Sequence, residues 1–217
     1  MKRAYSLRFS RSAKTYEKWA LPQRETALRL VELVRPSGVI LDLGCGTGFV
    51  SSLLPDRCVT LGLDLSDKMA QAYRERFGTA VVGDAENLPF KDKSFDFVLS
   101  NFSLHWTELS RSLPEALRVA REGIGLAVPV EGSLQGLNFP FPSVSRVMNF
   151  VEGYESSYFL ENIEVPFQGW ELVKFFHYTG SSLNPLRKRP LTKREILNLI
   201  NSIERAFFRV LFLYVRL

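Results

Sequence analysis

The chain has 217 residues, 46% of them hydrophobic and 24% charged, with a net charge of +5. This length and apolar content fit one α/β domain with a sizeable core and exclude a disordered chain. The two cysteines, Cys45 and Cys58, exclude a disulfide framework and suit a reducing cytoplasm; Met1 to Ser6 lack an apolar signal core and no run is long enough for a bilayer, so membrane insertion is not expected.

The basic balance favours acidic partners, although solubility alone accounts for it equally well. No zinc spacing, RNP-type aromatics or basic repeat speaks for a metal or for nucleic acid. Along the chain, residues 8–34 read as helical. Arg8 to Trp19 is basic and aromatic, and Pro22 opens a second helix to Val34 with Ala27, Leu28, Val31 and Leu33 apolar, ended by Pro36-Ser37-Gly38. Val39 to Leu43 predicts a buried strand that runs straight into Gly44, Gly46 and Gly48, with a helix expected at Phe49–Leu54. Val59–Leu63 predicts the second strand, and Ser66 caps a helix to Phe77 that Gly78 stops. Thr79–Val82 and Phe95–Ser100 predict the third and fourth strands, Ser112–Arg121 a helix and Ile124–Val128 the fifth strand. Beyond a loop at Pro140 and Pro142, the pattern predicts a short helix over 143–153, a strand at Glu164–Phe167, helices at Trp170–Tyr178 and Thr192–Ile203, and a last strand at Phe207–Arg216.

Strands alternating with helices at this pace predict a doubly wound, mostly parallel sheet of seven strands with helices on both faces. One domain, 1–217, is expected: an amino-terminal helical lid (1–34), a cofactor-binding half (39–128), a substrate-side cap (132–162) and carboxyl-terminal strands and helices (163–217).

A strand ending in glycines opens a sharp turn whose backbone can approach a ligand closely. Gly44, Gly46 and Gly48 are spaced more tightly than a dinucleotide fingerprint, so the ligand need not carry a pyrophosphate. Asp64 ends the second strand, where a carboxylate can accept both hydroxyl protons of a ribose. Asp84 ends the third, placed to accept from the exocyclic amine of adenine. Either acid alone reads as well as a helix cap or a loop residue. Together with the glycine turn they occupy the carboxyl ends of successive strands, where open α/β sheets bind ligands.

The runs Leu41–Gly48, Leu63-Asp64-Leu65-Ser66 with Met69, Gly83–Phe90 and Phe95-Asp96-Phe97-Val98 resemble class I S-adenosylmethionine-dependent methyltransferases over residues 39–128. The resemblance implies a Rossmann-like methyltransferase fold and S-adenosylmethionine as cofactor. It puts Gly44, Cys45 and Gly46 at the methionine part, Asp64 on the ribose, Leu65 and Met69 beside the adenine, Asp84 and Ala85 at its edge, and Asn101 near the sulfonium. The flanks Phe9–Glu17, Ser100–Trp106, Glu131–Leu134 and Tyr178–Asn184, leading to Leu191-Thr192-Lys193, are similar to the BioC-type malonyl-[acyl-carrier protein] O-methyltransferases. Two departures stand out: Arg121-Glu122-Gly123 replaces the superfamily's Pro-Gly-Gly turn, and 135–162 is abbreviated.

The narrower resemblance implies that the carboxylate of a malonyl thioester, held on an acidic acyl carrier protein, is capped as a methyl ester early in biotin synthesis. A carboxylate is already an anion, so no general base is required, and no Ser/His/Asp or Cys/His set is evident. The work is then orientation and exclusion of water. Tyr16 is expected as the lid residue over the cofactor, with His105 and Trp106 lining the acceptor cavity. Arg11, Arg187 and Arg189 are candidates to hold the substrate carboxylate, since guanidinium groups grip carboxylates in pairs of hydrogen bonds. Plain packing for Tyr16 and Trp106, a structural role for His105 and a solvated loop at Arg187-Lys188-Arg189 are the bland alternatives. Other functional readings are a different methyl acceptor and a methyltransferase-fold assembly factor or arginine hydroxylase; the glycine spacing and Asp84 disfavour a nicotinamide dehydrogenase.

Overall fold

A computed structural model describes residues 2–182, 184, 186, 189 and 191–217. Three helices, α1 (Lys2–Ser12), α2 (Tyr16–Trp19) and α3 (Leu21–Val34), lead into β1 (Val39–Leu43). There follow β2 (Val59–Asp64), α4 (Asp67–Phe77), β3 (Ala80–Val82), β4 (Phe95–Asn101), α5 (Leu109–Val119) and β5 (Ala120–Pro129). The remainder is α6 (Val144–Met148), β6 (Glu155–Val165), α7 (Gly169–Tyr178), α8 (Lys193–Ser202) and β7 (Ala206–Arg216). Among the described residues, seven strands form one sheet in the order β3-β2-β1-β4-β5-β7-β6. The first five run parallel, and β7 lies antiparallel between β5 and β6. The expected doubly wound, mostly parallel seven-stranded sheet is therefore the observed one. No helix among the described residues is long and apolar enough to cross a membrane.

Successive residues of a strand face opposite layers. Leu41 and Leu43 of β1 pack with Leu113 and Ala116 of α5 on one side, and Ile40 packs with Ala27, Leu30 and Val34 of α3 on the other. A strand covered on both faces needs continuous apolar residues, which is how β1 reads. Leu28, expected on the apolar stripe, is exposed; the buried stripe is Ala27, Leu30 and Val34. A Cβ at Gly125 of β5 would fall 2.5 Å from Val34 Cγ2 and 2.7 Å from Leu99 Cδ2, so its hydrogen lets α3 lie close on the sheet.

Three local expectations need correction. Phe49–Leu54 is no α-helix: a single 3-10 turn at Ser51–Leu53 ends at Leu54, whose ψ of 145° is the extended conformation imposed on a residue before proline. The Arg121-Glu122-Gly123 turn does not exist either. β5 begins at Ala120 directly after α5, and Arg121 and Glu122 form a bulge between the pairs Phe95–Ala120 and Phe97–Gly123. Finally, β6 starts at Glu155, so residues 155–162 of the expected cap belong to the sheet, paired along their length with β7. Its outward position leaves most of its residues exposed, and the polar residues that suit exposure hid the strand.

Candidate active site

The carboxyl ends of β1, β2, β3 and β4 meet under α1. At the end of β1, Gly44 turns the chain with φ of +73°, and a Cβ there would collide with the Ser103 side chain. The amides of Gly44 and Cys45 both donate to Leu63 O, at 2.7 and 3.0 Å, which ties the turn to β2. Asp64 completes the tie: its Oδ2 accepts from Gly46 N at 2.9 Å and its Oδ1 from Ser66 N at 2.8 Å. Burial pushes the Asp64 carboxyl up to about 6, against those backbone hydrogen bonds. Ser66 caps α4 by accepting from Met69 N.

Asp84 follows β3. Burial raises its pKa, but the Lys2 ammonium and the Glu86 amide outweigh burial and hold it below the ordinary range. Lys2 Nζ donates to Asp84 Oδ2 and Glu86 Oε2, at 2.6 Å each. Ser6 Oγ donates to Leu65 O, Ser10 Oγ is hydrogen-bonded to Ser66 Oγ at 2.8 Å and Ser10 Oγ donates to Asp67 Oδ1. Helix α1 is thus strapped along the ends of β2 and β3.

Beneath it lies a cavity of about 100 Å³ that brings together Gly44, Gly46, Asp64, Leu65, Met69, Asp84, Ala85 and Asn101. Cys45 does not join them. Its side chain is buried beside Ala70, Tyr73 and Ala80, where burial raises the thiol pKa, so it supports the turn from behind. Deeper still, Asp42 accepts from Ser51 Oγ at 2.8 Å, and burial pushes its carboxyl up to about 7.

A second cavity of about 550 Å³ adjoins the first. Phe9, Tyr16, Phe102 and Trp106 line both and form the partition between them. Phe102 sits in the left-handed region, at φ of +53°. Tyr5 and Phe9 of α1 pack on Trp106 at ring distances of 4.8 and 5.6 Å. His105 lines only the larger cavity; its Nδ1 is buried without a hydrogen-bond partner and burial lowers its pKa to about 3, so the ring is neutral. Gln23 is buried with Oε1 likewise unpartnered, and its carbonyl accepts from Asn101 Nδ2 at 2.7 Å.

Of the candidate cations, Arg189 lines the larger cavity and pairs with Glu195 through two hydrogen bonds of 2.7 and 2.9 Å. Arg187 lies outside the described residues. Arg11 is exposed and lines neither cavity, because one helical turn back Arg8 takes the inner place and donates to Ser182 Oγ. Sequence reasoning missed Phe102, Arg8 and Gln23. Gln23 carried a signal: it lies four residues before Ala27 and seven before Leu30, in register with the buried stripe of α3. Nothing local marked Phe102. Among the described residues, no group of three or more His, Cys, Asp or Glu side chains could hold a metal ion.

Residues 41–127 match the family described as Methyltransferase domain. Two curated relatives, both named malonyl-[acyl-carrier protein] O-methyltransferase, come from Herminiimonas arsenicoxydans (39% identical over 153 residues) and Erwinia pyrifoliae (37% over 154 residues). Each alignment covers 67% of this chain and 58% of the relative, so the chain spans little more than half of their length. Among solved structures, an S-adenosylmethionine-dependent methyltransferase from Thermotoga maritima is similar with a TM-score of 0.61 at 20% identity, over 96% of this chain and 98% of that one. The glycine turn and the two strand-end acids thus lie within residues 41–127, the stretch that matches the Methyltransferase domain family.

Proposed function

We propose that the protein transfers the methyl group of S-adenosylmethionine to the free carboxylate of a malonyl thioester on acyl carrier protein, in the cytoplasm, as a step of biotin synthesis. The observation that carries this reading is the pair of cavities meeting at Tyr16, Phe102 and Trp106, one at the strand ends and a larger one lined mostly by aromatic and aliphatic side chains. The names of the curated relatives supply the acceptor.

The residues of the smaller cavity fit the cofactor. Asp64 offers carboxylate oxygens to ribose hydroxyls, Leu65 and Met69 an apolar wall to adenine, and Asp84 with Ala85 its edge. Asn101 Oδ1 is buried and unpartnered, free to accept from the methionine part beside Gly44 and Gly46. When bound, S-adenosylmethionine supplies a methyl group on a positively charged sulfur. The chain's own contribution is alignment: Tyr16, Phe102 and Trp106 confine the acceptor oxygen to the line of transfer and keep water out. His105, neutral at physiological pH, positions the acceptor through a hydrogen bond and takes no proton from a carboxylate that has none to give. Arg8 and Arg189 at the larger cavity face the acidic carrier.

Mass spectrometry of malonyl-carrier protein after incubation with enzyme and S-adenosylmethionine tests this. One added methylene mass is expected; cofactor binding without any mass gain would overturn the reading.

A further inference from the structure

Helix α1 has two faces. The inner one is spent on the protein: Lys2, Ser6 and Ser10 bond to the strand ends, and Tyr5 and Phe9 pack on Trp106. With 3.6 residues per turn, Arg3, Ala4, Leu7, Arg8 and Arg11 share the opposite face, and all five are exposed. Leu7 stands among the arginines at 52% exposure. The helix contains no acid, and among the described residues no carboxylate pairs with Arg3, Arg8 or Arg11. The acids that touch α1 meet it from within: Asp84 and Glu86 hold Lys2, and Asp67 accepts from Ser10. Beyond the helix, Lys14 and Lys18 are exposed as well, while Glu17 pairs with Arg76.

This face does not serve the helix itself. Arg3 lies in the first turn, where the helix dipole disfavours a cation, and Arg8 and Arg11 are like charges three residues apart. An acidic surface laid against the helix relieves both. The face also borders the larger cavity, since Arg8 lines that cavity and donates to Ser182 Oγ. Arg3, Leu7 and Arg11 line neither cavity.

We propose, resting on the methyltransferase reading above, that the outer face of α1 is the surface on which the acidic carrier protein docks. Arg3, Arg8 and Arg11 meet carboxylates of the carrier, Leu7 packs against an apolar side chain between them, and the thioester arm enters the larger cavity beside Arg8. Arg11 thus holds the carrier and not the substrate carboxylate. A lipid surface fits less well, because one leucine is too small an apolar face to bury in a bilayer.

The test compares malonyl-carrier protein with malonyl-pantetheine as acceptors, following methyl ester by mass spectrometry. Arg3→Glu/Arg11→Glu is expected to lower kcat/KM for the carrier-linked acceptor about tenfold or more, through KM, and to flatten its dependence on salt. The same variant should leave malonyl-pantetheine within about twofold, as screened charges outside both cavities require. Arg3→Lys/Arg11→Lys should keep most of the carrier activity, and Leu7→Asn should cost about fivefold with the carrier alone. Flotation with phosphatidylglycerol vesicles should show no binding. Vesicle binding that the glutamate variant loses, with carrier kinetics unchanged, would give this face to a membrane and overturn the proposal. Equal losses on both acceptors, or no loss on either, would overturn it too and leave the methyltransferase reading standing. No transfer by the parent to either acceptor overturns that reading itself.

Discussion

Asp64 accepts the amides of Gly46 and Ser66 with one oxygen each, so a single carboxylate pins the turn after β1 and faces the smaller cavity. Asp64→Asn keeps one of the two acceptors that the turn uses and loses the charge that a ribose would meet. Hydrogen bonds to a charged group are worth about 1.5–3 kcal/mol each, so calorimetry should show cofactor affinity about 100-fold weaker. The folded-state pKa, raised to about 6 from an ordinary 3.8, means that the parent loses stability as pH rises through that window, a loss that should be absent from the variant in melts across it. An unchanged affinity would remove Asp64 from the ribose site. His105 gives the opposite sign. Its folded pKa of about 3 lies below the ordinary 6.5, so the unfolded chain binds the proton first and the native state loses stability as pH falls from about 6.5 to about 3. In His105→Gln this loss is absent, so its stability relative to the parent should rise by about 1.4 kcal/mol per pH unit over that window. Denaturant titrations at several pH values check this; a flat difference would contradict a buried neutral ring. Strand-end residues such as Gly44, Asp64 and Asp84 were legible because a strand's end is written in its own few residues. Phe102 was not, since its left-handed backbone and its place between two cavities go with packing against His105 and Phe208, which no local pattern encodes.

Among the elements, α1 closes the smaller cavity through Lys2, Ser6 and Ser10. About 100 Å³ is below the roughly 300 Å³ at which small-molecule sites begin, so α1 must shift for a nucleoside to enter. Lys2→Met removes both ion pairs. They are partly exposed and screened, worth about 0.5–1 kcal/mol each, so stopped-flow fluorescence should show cofactor association faster by about fivefold to thirtyfold. Slower association would mean that Lys2 assists entry. The covered strands β1 and β4 were readable as apolar runs, and α7 and α8 by their helical pattern. The edge strand β6 was not: exposure removes the pressure to be apolar, and only its last residues were recognised. Phe49–Leu54 failed for a reason present in the sequence itself, the proline after Leu54.

The whole molecule carries a net charge of +5, with Arg8 and Arg189 at the larger cavity. Attraction between a basic mouth and an acidic carrier weakens as the Debye length shrinks from about 30 Å at 0.01 M salt to about 3 Å at 1 M. KM for malonyl-carrier protein should therefore rise about tenfold or more over that range while KM for malonyl-pantetheine barely moves; equal responses would argue against a charged docking face. The doubly wound, mostly parallel sheet was legible from the alternation of strands and helices; its strand order was not. The place of β7 was not, because an antiparallel insertion between β5 and β6 is decided by contacts distant in the chain. That insertion has a temporal side. β6 ends at Val165 and its ladder partner β7 begins only at Ala206, so during synthesis a largely exposed ribbon must wait for some forty residues, α7 and α8 included, before a strand pairs with it. Ribosome emergence, not the finished sheet, is where this protein is most open to wrong pairing between nascent chains.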